Sequence, residues 1–176
     1  MSDTRNHADT ATHPTWAEWS QAVQRHGGDS AELPPHHPRC LGCGPANPHG
    51  HHLRALRGKD GVFAYHVFDE RHIGAPGIAH GGAVATIVDD LFGFLLYVVG
   101  ELAVTRCLNV EYLRPVLLNI PYSLCAELTS REGRKLHLRA QIENAAGQVV
   151  AISTAMFVVV DLEHFTIAQP GTQAPR

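Results

Sequence analysis

Two hydrophobic periods divide this chain. From Ala83 to Gly100 (Ala83-Val84-Ala85-Thr86-Ile87-Val88-Asp89-Asp90-Leu91-Phe92-Gly93-Phe94-Leu95-Leu96-Tyr97-Val98-Val99-Gly100) apolar side chains surround most of a helical projection, the pattern of an element buried on nearly all sides. Beyond it the period falls to two. Leu124, Ala126 and Leu128 alternate with Ser123, Cys125 and Glu127, and Leu136, Leu138, Ala140 and Ile142 alternate with His137, Arg139, Gln141 and Glu143, as in strands with one buried face. Turn residues at 130–135 and 144–147 separate these strands, and 103–112 and 149–160 supply two more. Ahead of the helix, 53–56 and 62–68 read as a hairpin, because the second segment is rich in β-branched and aromatic residues and follows Lys59-Asp60-Gly61. The predicted order is β-β-α-β-β-β-β. Such an α+β chain buries its helix most economically by wrapping a curved antiparallel six-stranded sheet around it.

The 176 residues suffice for one domain, and 44% hydrophobic with 18% charged residues is an ordinary globular balance. The polar residues 1–39 read as a tail with one short helical candidate at 15–26, carrying Trp16, Trp19 and Val23; the domain is expected over 40–163 and a second tail over 164–176. A formal charge of −3, from 14 Lys+Arg against 17 Asp+Glu, argues against nonspecific nucleic-acid binding. The apolar run 91–99 is short of the ~20 residues that span a bilayer, and the first residues lack a secretory apolar stretch, so no membrane partner and a cytoplasmic location are expected. Four unevenly spread cysteines do not make a disulfide framework; free thiols are expected, with Cys107 and Cys125 as small core residues.

The chemistry is expected along the helix. Asp is a poor helix-interior residue and an ionised carboxylate is costly to bury, so Asp89-Asp90 needs an explanation. Asp89 shares a stripe with Ala85 and Gly82, the roomier side, whereas Asp90 lies with Ala83, Thr86 and Ile87. At the helix start, Gly74-Ala75-Pro76-Gly77-Ile78-Ala79-His80-Gly81-Gly82 leaves backbone N–H groups uncovered at the positive end of the dipole, a candidate site for a polarised carbonyl oxygen. A carboxylate ~10 Å further along the axis is a candidate for activating a nucleophile.

The segment from Gly77 to Asp89, followed by Thr105-Arg106-Cys107-Leu108-Asn109-Val110-Glu111-Tyr112-Leu113-Arg114-Pro115, resembles the hotdog-fold acyl-CoA thioesterases of the PaaI-like group over roughly residues 40 to 160. The resemblance implies thioester hydrolysis without a cofactor. It implies Asp89 as nucleophile or general base, the Gly81 N–H as the donor to the carbonyl, Thr105 as the group that holds water, and His80 as a brace of the loop or a contact to the carbonyl. Gly82 would line the same end. Some relatives carry Asn or Gln six residues before the motif histidine; Gly74 stands there instead, and His72 is the candidate substitute. The resemblance further implies a homodimer or dimer of dimers joined at sheet edges, with sites shared between protomers, and the long apolar segment 103–112 suits such an edge. The phosphates of coenzyme A are expected to meet Arg131, Gly133, Arg134 and Lys135 in one tight turn, together with Arg114. Cys40-x-x-Cys43 lies among His36, His37, His49, His51 and His52, but a single Cys pair falls short of the four ligands of a closed site, so a structural loop and no metal are expected. The rival readings are a noncatalytic acyl-CoA binding or sensing protein, a hotdog hydratase or dehydratase and, only if metal were found, a zinc-dependent regulator. Asp90→Asn serves as the control for Asp89→Asn.

Overall fold

A computed structural model describes residues 32–161. The strands are β1 (Ala55–Arg57), β2 (Gly61–Val67), β3 (Ile73–Ala75), β4 (Ile78–Ala79), β5 (Ala103–Tyr112), β6 (Pro121–Glu132), β7 (Lys135–Asn144) and β8 (Val149–Val159), and one helix, α1 (Gly81–Val99), stands between β4 and β5. Six strands form an antiparallel sheet in the order β1-β2-β6-β7-β8-β5, so α1 carries the chain from one sheet edge to the other. This is the hotdog arrangement expected from the sequence. The expected hairpin forms with its first strand shifted to 55–57, and a small second sheet, β3–β4, was not anticipated.

The alternation read in the sequence becomes the inner face of the sheet. Leu124 pairs with Ile142, Ala126 with Ala140 and Leu128 with Leu138, and all but the partly covered Leu128 are buried. The bulk sits on the helix, in Leu91, Phe92, Phe94, Leu95, Leu96 and Tyr97, while Ala55, Ala64, Ala126, Ala140 and Ala151 keep the facing sheet thin, which lets helix and sheet approach closely. Burying each large side chain contributes about 1.5–3 kcal/mol. Taken whole, α1 is long and apolar enough to cross a bilayer by composition, which the run 91–99 alone did not reveal; half of that apolar window is buried inside the fold.

The ends of α1 are specified locally. His80 caps its start, its Nδ1 accepting from the Gly82 N–H at 2.9 Å, and Gly100 ends it with φ +75°, its N–H donating to Leu96 O at 2.8 Å. The turn ahead of the helix is braced from the other side, Ala79 N–H donating to Val116 O and Leu118 N–H to Gly77 O. The helix candidate at 15–26 and the tails at 1–31 and 162–176 lie outside the described residues. Packing begins ahead of Cys40: Leu33 is buried and its N–H donates to Ala55 O, beside a bridge from Glu32 to Leu56.

Candidate active site

Asp89 and Thr105, 16 residues apart, meet where α1 passes the start of β5: Thr105 Oγ1 donates to Asp89 Oδ1 at 2.9 Å. A β-bulge lies between Thr105 and Cys107, which pair with the adjacent residues Phe157 and Met156 of β8, so Arg106 is the extra residue. Bulges re-aim side chains at strand edges. Burial raises the Asp89 carboxyl above its ordinary range, against the pull of the Thr105 hydrogen bond. A raised pKa makes a carboxylate a stronger base at neutral pH.

The other end of the expected constellation also forms. His80 spends Nδ1 on the Gly82 cap and donates its own N–H to His72 O at 2.7 Å, so it braces the turn. Gly81 accepts at its carbonyl from Tyr112 Oη, 2.7 Å, while its N–H has no partner among the described residues. Tyr112, part of the motif from Asn109 to Pro115, was not assigned this contact from the sequence. Gly81 and Asp89 are eight residues apart on one helix, hence about 12 Å apart along its axis. Oxyanion donors stand about 2.7–3.1 Å from their oxygen, so one carbonyl cannot use both groups of the same chain.

Two expectations for ligand contacts need correction. His72 is buried with its ring stacked on His51 at a centroid distance of 3.9 Å, its Nδ1 accepting from the Asp69 N–H and its Nε2 buried without a partner, so its ring lies within the histidine cluster rather than open at the helix start. The space for a side chain at 74 is absent too, since a Cβ there would lie 2.6 Å from His80 Cα. The cations do not form a single cluster within one chain. Arg131, Gly133, Arg134 and Lys135 occupy the β6–β7 turn, where Lys135 pairs with Val158, whereas the Arg114 N–H donates to Val150 O; eight residues of β8, about 26 Å, lie between. Arg131 moreover pairs with Glu101. Cys107 and Cys125 are exposed rather than core residues, because Cys125 falls in the outward phase of β6 and Cys107 follows the bulge in β5.

Asp90 turns away from Asp89. Its Oδ1 lies 3.1 Å from His36 Nδ1 and 3.1 Å from Cys40 Sγ, and Cys43 Sγ lies 3.2 Å from His36 Nδ1. Burial works against a charged His36, yet the hydrogen bond to Asp90 outweighs it with help from Cys40 and lifts its pKa to about 9. Hydrogen bonding from Cys43, then from His36, draws the Cys40 thiol down to about 3, while Cys43 is pushed up. The sequence placed the Cys pair with His36 among several nearby histidines, but not Asp90, since nothing local joins residue 36 to residue 90. A second buried group, His51, His66 and His72, has no carboxylate within it; desolvation lowers His66 to about 3 and His51 to about 4.

Residues 76–151 match the family model of the thioesterase superfamily. Over 89 residues the chain is 34% identical to the acyl-coenzyme A thioesterase THEM4 of Rattus norvegicus, a match covering 50% of this chain and 38% of that protein. The chain thus spans well under half the length of the curated relatives it matches. Among solved structures, a thioesterase superfamily protein aligns with a TM-score of 0.66 and 28% identity over 69% of this chain and 61% of the other. A hypothetical thioesterase protein of Streptococcus pneumoniae, solved with coenzyme A, shares the fold at a TM-score of 0.58 and 22% identity over 61% and 85%.

Proposed function

We propose that this chain, which folds as a hotdog and matches the thioesterase superfamily model over residues 76–151, hydrolyses an acyl-CoA thioester to a free acid and CoA-SH. The observation that carries this reading is the half-buried Asp89 held at one oxygen by Thr105, with its basicity raised by burial. Oδ2 is then left to take a proton from water. The water oxygen attacks the thioester carbon, and the charge that develops on the carbonyl oxygen is received by a Gly81 N–H at the positive end of a helix dipole. Collapse of the tetrahedral adduct breaks the C–S bond, and Asp89 returns its proton to the departing sulfur. Support for CoA as the carrier comes from the relative described as an acyl-coenzyme A thioesterase and from the neighbour solved with coenzyme A.

The 12 Å between Gly81 and Asp89 makes the site a shared one in this reading. β5 is an open sheet edge, with Thr105 near its start beside Asp89, and Tyr112 at its end holding Gly81. If β5 pairs antiparallel with β5 of a second copy, each strand's end lies beside the other's start, and the second copy's Gly81 approaches Asp89. The same pairing carries the second copy's Arg114 toward the end of the sheet that bears Arg134 and Lys135, where the cations would meet the CoA phosphates. Hydrolysis of short, medium, long and aromatic acyl-CoAs, followed by thiol release, tests the activity. Tight binding of acyl-CoA without CoA release by any of them overturns it in favour of a binding or sensing protein. A chain that is monomeric at assay concentration and fully active overturns the shared site.

A further inference from the structure

We propose that His36, Cys40, Cys43 and Asp90 bind one zinc ion, forming a structural metal site that ties the segment before β1 to the middle of α1. One ligand atom from each residue lies within 4.8 Å of all the others, and the three contacts among them measure 3.1, 3.1 and 3.2 Å. Ligands at about 2.0–2.3 Å from a tetrahedral ion stand about 3.3–3.8 Å apart, so a small outward movement of these side chains accommodates the ion. Two sulfurs, an imidazole nitrogen and a carboxylate oxygen are a zinc donor set, with the two cysteines at the C-x-x-C spacing of zinc loops.

The cluster is built around this centre. The Asp90 side chain is 8% exposed and that of His36 14%. Asp90 Oδ2 is buried without a partner, so the His36–Asp90 contact leaves acceptor capacity unused. Two glycines make room: a Cβ at Gly42 would lie 2.2 Å from Asp90 Cγ, and one at Gly93 2.8 Å from His36 Cε1. The His36 N–H donates to Cys43 Sγ at 3.2 Å, an outer-shell bond of the kind that steadies a metal-bound sulfur. Gly44 N–H closes the Cys40–Cys43 turn on Cys40 O at 3.0 Å. The site is independent of the hydrolytic reading, because none of its four residues has a role there and metal content is read without substrate.

The test is elemental analysis of the full chain purified with its thiols reduced and without chelator, followed by replacement of zinc with cobalt(II). The expected result is about one zinc per chain, and for the cobalt form the visible bands of a tetrahedral site with a thiolate-to-metal charge-transfer band. Cys40→Ser, Cys43→Ser and Asp90→Asn should each weaken binding by more than the about 10–100-fold typical of outer-shell changes. Should a variant fail to fold, thiol titration of the wild-type protein with a mercurial, with peptide mapping, gives the same answer: zinc leaves as Cys40 and Cys43 react. Metal-free protein that takes up no cobalt overturns the site and leaves a hydrogen-bonded ion pair. So do a Cys40–Cys43 disulfide in the freshly isolated protein and zinc release that follows Cys107 or Cys125.

Discussion

Asp89 and Asp90 are neighbours in sequence, identical in type and carried by one helix, yet they serve opposite sides of the molecule. About 100° of rotation per residue sends Asp89 toward the open edge at β5 and Asp90 under the loop that holds Cys40 and Cys43. Both carboxyls are raised by burial. Asp89 is answered by one hydroxyl and keeps an oxygen for a reactant; Asp90 is answered by an imidazole and a thiol in a closed cluster. The difference teaches that the aspartate by itself does not define a role. Exposure separates them: the unpartnered Oδ2 of Asp90 is buried inside its cluster, whereas Asp89 is half-buried where α1 passes the β5 edge.

Substitutions should separate the two sides. Asp89→Asn keeps the shape and the Thr105 contact, so turnover should fall about 10²–10⁴-fold with the thermal midpoint held or raised; equal loss of stability and rate would erase the contrast. Asp90→Asn, the control for turnover, should differ in stability. Breaking a buried charged cluster costs about 3–5 kcal/mol, so chemical denaturation should show a large loss of stability while the folded fraction keeps turnover within about tenfold of the parent. Thr105→Ala removes a hydrogen bond to a charged group, about 1.5–3 kcal/mol, so kcat should drop about 10- to 100-fold, and Thr105→Ser should restore most of it.

The smallest effect contrasts the two buried histidine environments. His36 has an acid beside it, whereas His51, His66 and His72 have desolvation and one another, with only Asp69 nearby to oppose and with Arg71 and His52 adding like charge. Folded-state values below the unfolded ~6.5 mean that the unfolded chain binds more protons in the window between them. The contribution of these histidines to stability should therefore be fully present above pH ~6.5 and decline as the pH falls toward about 4. His66→Leu should flatten that slope in thermal melts across the window; an unchanged slope would remove the cluster as its source.

The β5 side was largely legible in the sequence. His80, Gly81, Asp89 and Thr105 fall in one motif pair, and helix start and strand are short-range features with their own signals, the His80 cap and the period change after Gly100. The bulge that aims Thr105 was not, because it depends on pairing with β8. On the other side the Cys pair and nearby histidines, His36 among them, were visible, but Asp90 as their partner was not. His36 lay in a segment expected to be a loose tail, and its link to Asp90 spans 54 residues.

The chain alone determined the element order, the identity of the buried helix and the residues that bear the candidate chemistry, because periodicity and capping act over a few residues and survive without knowledge of neighbours. Tertiary structure decided which partner each aspartate meets and separated Arg114 from the β6–β7 turn by most of a strand. Those outcomes depend on rotation about a helix and on strand register, where a shift of a single residue reverses the face presented and no local pattern records the choice.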